Sequence, residues 1–301
     1  MTAASNRVAG RMRSPWSPRG STSGTIIDGN QSVYTSTMDG EPGSIEGVVD
    51  RMGTLLEPME SSGDPRRHFL ATYRRTTVAV HQALLAGQFL DAAWVERWDV
   101  VFASLYLDAL EQWNRGEKPP GPWQVAFESA TDRRVPPLRH VLLGMNAHIN
   151  YDLPQALLAA ITDDEFVDSA VVARRNVDHE RIDAILASRV DAEDLELQRV
   201  ESPGDRTRLD RMLKPFNQAA TKRFMKESRR KVWRNALALS VARRSGPAAL
   251  TARLAELETL SRRRVEDLRV PGQVLIKLAV RGFGVELPAA RTNRRSAGGA
   301  G

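Results

Sequence analysis

The segment at residues 141–151, VLLGMNAHINY, constrains the fold more than any other part of the chain. It contains no Lys, Arg, Asp or Glu, although 27% of all residues are charged. At 100° per residue its apolar side chains point to every side of a helix, and such a helix has to be surrounded by protein. We therefore predict an all-α protein, a multi-helix bundle around a central buried helix at about residues 137–153, with a proline kink at Pro154.

The polar side chains of this helix then have to be buried. Asn146, His148 and Asn150 lie within the uncharged segment, and Asp152 follows directly after it. Each buried polar group that lacks a hydrogen-bond partner costs about 1–3 kcal/mol. The sequence therefore predicts a buried polar cluster whose partners come from other helices.

One helical domain is predicted to cover most of the chain. Residues 1–43 are rich in Ser, Thr, Gly, Arg and Pro and show no apolar periodicity, which predicts a disordered tail. Apolar residues then recur at helical spacing. Residues 44–285 are predicted to form one all-helical domain, with basic C-terminal helices at residues 222–285, and residues 286–301 are predicted to form a flexible tail.

The composition excludes several classes of site. The chain has no cysteine, which excludes disulfides, thiolate catalysis and cysteine-ligated metals. No stretch approaches the roughly 20 apolar residues of a transmembrane helix and no secretory signal is visible, so the expected location is the cytoplasm. A phosphate-binding glycine loop, a nucleophile elbow, a dinucleotide-binding motif and internal repeats are also absent. The sequence therefore identifies no reaction.

The stretch GMNAHINYDLPQAL, at residues 144–157, closely resembles the signature of a bacterial family of unknown function that is found chiefly in actinobacteria. Members of that family carry GMNAHIN, one variable residue and then DLP. The segment WDVVFASLYLDAL, at residues 98–110, is also similar, and the resemblance covers about residues 44–240. It implies an all-helical domain and no known activity. The chain departs from the family pattern at Asp183, where the family carries Asn.

One interpretation of the polar cluster is a metal site. His148 and Asp152 are four residues apart, so they are neighbours on one helical face and can bind one divalent metal ion together. Asp99 is a third candidate ligand, because it interrupts the apolar face of an aromatic helix. Further candidates to complete the site are Asp178, His179 and His140. A metal ion with an open coordination position activates water, so this interpretation predicts a metal-dependent hydrolase of esters or phosphates.

The other interpretation is structural. Asn146 and Asn150, also four residues apart, form a polar ladder on the opposite face, and His148 pairs with Asp152. A satisfied buried network of this kind fixes the register of neighbouring helices. The cluster is then primarily structural, and the protein functions by binding a ligand or a partner. We take this structural interpretation as the primary one and the metal-dependent hydrolase as the alternative.

Charge is distributed unevenly along the chain, whose net charge is +6. Residues 163–210 contain fourteen acidic and seven basic residues, and residues 225–269 contain twelve basic and five acidic residues. We expect these segments to lie against each other, which weakens a nucleic-acid interpretation of the positive charge. The apolar and basic residues at 272–283 are compatible with a contact to a membrane surface or to another protein.

Overall fold

The computed structural model describes residues 43–132, 134–200, 214–269 and 284–289, and every regular element in these ranges is helical. The all-α prediction is therefore confirmed. None of the described helices is both long and apolar enough to cross a lipid bilayer. In chain order the elements are α1 (Ile45–Ser62), α2 (Arg67–Leu85), α3 (Ala92–Asn114), α4 (Gly121–Ser129), α5 (Pro137–Ala147), a π-helical segment (His148–Asp152), α6 (Leu153–Ala160), α7 (Asp163–Val167), α8 (Ser169–Val200), α9 (Lys214–Ser245) and α10 (Pro247–Arg269).

Short polar residues begin several of these helices, as their sequence positions predict. The side chains of Ser44 and Asp91 each accept a hydrogen bond from the backbone three residues further on, at the starts of α1 and α3. Thr162 and Glu165 form a reciprocal capping box at the start of α7. These contacts satisfy backbone N–H groups that have no partner within the helix, so they define where each helix begins.

The uncharged segment forms the centre of the fold. Helix α5 contacts α2, α4 and α10, and α6 contacts α3 and α9. Leu143, Ala147 and Leu157 along this axis are at most 1% exposed. The prediction of a central helix enclosed by other helices is therefore confirmed.

The irregularity expected at Pro154 takes the form of a π turn. The chain does not leave the helical conformation, since Leu153 and Asp152 both keep right-handed helical backbone angles. The Leu153 N–H instead donates to the His148 carbonyl, five residues back. Pro154 has no N–H to donate to the Asn150 carbonyl, and the wider turn lies directly before it. The helix changes its pitch at His148–Asp152 and continues as α6.

Ion pairs join the acidic and basic segments, as expected from their charges. Arg229 of α9 binds Glu180 and Asp183 of α8, at 2.7 and 2.6 Å. Arg243 of α9 binds Asp163 at the start of α7, at 2.7 Å. Much of the positive charge of α9 is therefore balanced within the protein. Residues 272–283, for which the sequence suggested a membrane or protein contact, lie outside the described residues.

A short non-helical segment at residues 284–289 lies on α9, α10 and the π segment. Its Leu287 is 7% exposed and belongs to the hydrophobic core. Residues 286–288, which the sequence assigned to the flexible tail, contact the helices through Arg234, Asn235 and Arg253.

Candidate functional site

The imidazole of His148 lies inside a cage of aromatic rings. Phe102 stacks on it in parallel, with ring centroids 3.6 Å apart and 4° between the ring planes. Tyr73 meets it edge-on at 4.6 Å. The remaining rings, at centroid distances of 5.8 to 6.0 Å, are those of Phe69, Tyr106 and Trp123. Helices α2, α3 and α4 thus all contribute to the surroundings of one histidine.

His148 and Asp152 are hydrogen-bonded to each other, as their spacing predicts. The distance from His148 Nδ1 to Asp152 Oδ2 is 2.8 Å. The same carboxylate oxygen accepts a hydrogen bond from Trp123 Nε1, also at 2.8 Å. Trp123 was not among the residues that the sequence suggested, because it lies 29 positions earlier in another helix and no periodicity connects the two.

The pair is sealed from solvent. His148 is 3% exposed and Asp152 is 1% exposed. Burial disfavours the charged form of each group, so it lowers the pKa of His148 well below its ordinary value. Burial likewise raises the pKa of Asp152, and the hydrogen bond from Trp123 opposes this only in part. Both groups therefore favour their uncharged forms in the folded protein.

Asp99 lies at the same centre. Burial raises its pKa to about 7. The pKa of Tyr73 is raised by its own burial and then by the charges of Asp99 and Asp152, so both carboxylates lie near the Tyr73 phenol. The Tyr73 hydroxyl, Asp99 Oδ2 and His148 Nε2 are buried and have no hydrogen-bond partner among the residues that the structure describes. Asp99 is therefore linked to the pair only through its effect on Tyr73, and no hydrogen bond joins Asp99 to His148 or Asp152.

The two asparagines of the motif form the predicted ladder on another side of the helix. Asn146 donates to the Leu142 carbonyl at 2.9 Å, and Asn150 donates to Asn146 Oδ1 at 3.3 Å. Asn150 Oδ1 in turn accepts a hydrogen bond from the backbone N–H of Val285, at 2.9 Å. The ladder thus ends on the segment at residues 284–289.

The glycine of the motif permits close packing. A Cβ atom at Gly144 would lie 2.4 Å from Cγ of Phe69, which is shorter than any ordinary contact. The Phe69 ring therefore lies directly against the backbone of α5, and it meets the His148 ring edge-on. A larger residue at position 144 would displace one wall of the cage.

Two further candidate ligands lie at a different place. The carboxylate of Asp178 accepts hydrogen bonds from the backbone of Leu90 and Asp91, at 2.7 and 2.9 Å, where the chain enters α3. His179 Nδ1 accepts a hydrogen bond from Trp233 Nε1 at 3.0 Å, and burial lowers the His179 pKa to about 3. Both residues connect α8 to its neighbours, and neither completes a site with His148.

His140 lies on the far side of the cage wall. It lines a cavity of about 20 Å³ together with Arg66, Tyr106 and Gly144, a volume suited to a single water molecule. Its Nε2 is buried and has no hydrogen-bond partner in the described part of the chain, and burial lowers the His140 pKa to about 4. His140 therefore belongs to a small separate cavity.

The grouping required of a metal centre is not found in the part of the chain that the structure describes. Across residues 43–132, 134–200, 214–269 and 284–289, no three or more His, Asp or Glu side chains are arranged to hold one metal ion. Asp152 Oδ2 is already used by Trp123 and His148. The geometry gives the metal interpretation no support.

Comparison with known proteins gives one match. The model of a family described as "Family of unknown function (DUF5995)" matches residues 45–271. Searches of the curated proteins and of the solved structures each found no match. The matched range covers most of the chain, from the first helix to the end of α10, and contains the whole central motif. The chain belongs to the DUF5995 family of unknown function.

Proposed function

We propose that this protein functions by binding a ligand or a partner, and that the His/Asn/Asp cluster of its central helix is architectural. The observation that carries the proposal is the closure of the cluster. Asn146, His148, Asn150 and Asp152 are each at most 3% exposed. Their hydrogen bonds go to groups of the protein itself. A cluster of this kind holds helices in register and presents no reactive atom to solvent.

The alternative from the sequence, a metal-dependent hydrolase with His148 and Asp152 as ligands, needs a third ligand and an open position on the metal. Asp99 is one candidate that the sequence suggested. Its carboxylate is buried beside Tyr73 and makes no hydrogen bond to the pair. No observation in the described residues favours this alternative over the binding function.

The replacement of His148 by alanine tests the proposal. His148→Ala removes the ring that five aromatic side chains surround, so we expect the free energy of unfolding to fall by about 3–5 kcal/mol. His81→Ala is the matched control. His81 forms an ion pair with the exposed Glu46 of α1, and its loss is expected to cost less than about 1 kcal/mol.

Urea unfolding of both variants and elemental analysis of protein purified without tag or chelator give the two readouts. We expect a large loss of stability in His148→Ala only, with no metal in stoichiometric amount in the wild type. A stoichiometric metal that disappears in a stably folded His148→Ala protein would contradict the architectural role and support the metal-dependent alternative instead.

A further inference from the structure

The segment at residues 284–289 is held mainly through its backbone. The Val285 N–H donates to Asn150, the Leu287 N–H donates to Asn235 Oδ1 at 2.8 Å, and Asn235 Nδ2 donates to the Val285 carbonyl at 3.0 Å. The carbonyls of the even-numbered residues are bound from other side chains: Lys231 donates to Gly284 and Arg253 donates to Pro288, at 3.1 and 2.8 Å. In an extended chain, successive residues point to opposite sides. The segment shows this alternation, because its odd-numbered residues contact one set of partners and its even-numbered residues contact another.

Asn235 takes the place of a neighbouring β-strand. Its side-chain amide bonds the carbonyl of one residue and the N–H of the residue two positions later, which is how a strand residue pairs with an extended neighbour. Pairing of this kind binds the peptide backbone and does not depend on most of the peptide's side chains. It recurs where proteins bind extended peptides. Asn235 is 1% exposed. The segment therefore covers a polar side chain whose amide can pair with a peptide backbone.

Two side chains of the segment make contacts of their own with the helices. Leu287 is buried, whereas Glu286 and Pro288 on either side of it are exposed. Glu286 forms an ion pair with Arg234 at 2.9 Å. The groove between α9, α10 and the π segment thus fits an acidic residue followed by a leucine. Its basic rim complements an acidic peptide. Lys231 and Arg253 on this rim also bind glutamates of their own helices.

The central motif contributes to this groove through Asn150. Asn146 binds the amide of Asn150 and thereby orients its oxygen toward the Val285 N–H. The asparagines of the central helix therefore serve the bound segment as well as the fold. Only one side chain of the described segment is fully buried, so its docking buries less apolar surface than the packing of a helix does.

We propose that the groove between α9, α10 and the π segment is a peptide-binding site. Its ligand is an extended segment of a partner protein that carries an acidic residue followed by Leu-Pro. The chain's own residues 284–289 occupy the site as an intramolecular competitor. This inference rests on the proposed binding function and names the class of partner.

The test uses a fluorescently labelled synthetic peptide with the sequence of residues 283–290 and the full-length protein. Leu287→Asp places a charge in the leucine position and releases the internal segment from the groove. We expect the peptide to bind this variant about tenfold or more tightly than the wild type, measured by fluorescence anisotropy, because the competitor is gone. A peptide in which the glutamate is replaced by lysine is expected to bind about tenfold more weakly than the native peptide.

A second substitution in the Leu287→Asp background locates the site. Asn235→Ala removes two backbone hydrogen bonds and is expected to weaken peptide binding about tenfold. Asn114→Ala is the matched control, since Asn114 lies at the end of α3 and accepts a hydrogen bond from Arg66. It is expected to leave peptide affinity unchanged.

Three outcomes would overturn the proposal. One is a folded Leu287→Asp protein that binds the native peptide no better than a scrambled one. Another is equal loss of affinity in Asn235→Ala and Asn114→Ala. A third is a wild-type dimer, detected by light scattering, that Leu287→Asp dissociates, because the occupant is then a second copy of the chain. If Leu287→Asp does not fold, Glu286→Lys, at an exposed position, replaces it. None of these measurements involves His148 or metal content, so this proposal can fail while the proposed function stands.

Discussion

The central helix carries two polar pairs at the same spacing, and the protein uses them differently. His148 and Asp152 face α2, α3 and α4, where aromatic rings enclose them and Trp123 completes their hydrogen bonding. Asn150 accepts a hydrogen bond from the backbone of the segment at residues 284–289, and Asn146 accepts one from the Asn150 amide. A spacing of four residues therefore indicates that two side chains are neighbours, but the elements packed against them decide whether they close a core or bind a peptide backbone.

Among the substitutions that distinguish the two pairs, the largest effect on stability is expected at Asp152. Asp152→Ala removes the hydrogen-bond partner of both Trp123 and His148 and leaves two buried groups unpaired, so we expect a loss of about 2–5 kcal/mol in the free energy of unfolding. Asp152→Asn keeps an oxygen for Trp123 and is expected to lose less than about 2 kcal/mol. Urea unfolding measures both variants, and equal losses would show that Trp123 is not stabilised by this acceptor.

The aromatic side of the helix is also expected to respond to pH through Asp99. In the folded protein burial raises the Asp99 pKa to about 7, from an ordinary value of 3.8. Between these two values the folded state holds a proton that the unfolded state releases. The contribution of Asp99 to stability therefore falls as pH rises through this window, by up to about 1.4 kcal/mol per pH unit, and is constant above it.

Asp99→Asn removes this titration and checks the prediction. The stability of Asp99→Asn relative to the wild type should increase as pH rises from about 4 to about 7 and then level off, because all other titrating groups cancel in the difference. Urea unfolding at several pH values measures it. A difference that does not change with pH would place the Asp99 carboxylate in a solvated environment.

The smallest effect on the free energy of unfolding is expected for a substitution of Asn150. Asn150→Ala removes the acceptor for the Val285 N–H and one partner of Asn146, so we expect a loss of about 1–2 kcal/mol. The amide hydrogens of Val285 and Leu287 should exchange faster by a larger factor than those of the central helix. Asp152→Ala should instead accelerate exchange in the helices around it. Similar exchange patterns in the two variants would contradict the distinction between the two pairs.

The sequence predicted most of what depends on local pattern. Burial of the central helix follows from its uncharged surface, and the His148–Asp152 and Asn146–Asn150 contacts follow from helical spacing. The contribution of Trp123 was missed because it depends on how α4 packs against the π segment. Asp178 and His179 were suitable ligand types, but their partners come from the residues just before α3 and from α9, which helical periodicity does not specify.

The docked segment was missed for a different physical reason. Residues 284–289 have neither helical periodicity nor a neighbouring strand, so nothing in their own pattern indicates a packed element. Their hydrogen bonds are made by side chains of α9, α10 and Asn150, and the residues they contact were read as parts of helix faces. An extended segment that binds to side-chain amides becomes recognisable only when the helices are assembled.

The π turn at His148–Asp152 has a consequence for how positions along this helix are counted. A turn closed between residues five apart contains about one residue more than a regular turn, so the helix beyond it is out of phase by about 100°. A helical wheel drawn without interruption from α5 into α6 therefore misassigns which neighbouring helix each side chain meets. Deleting one residue from the turn would give a more regular helix and turn Ala156 and Leu157, both now fully enclosed, toward different neighbours in the interior.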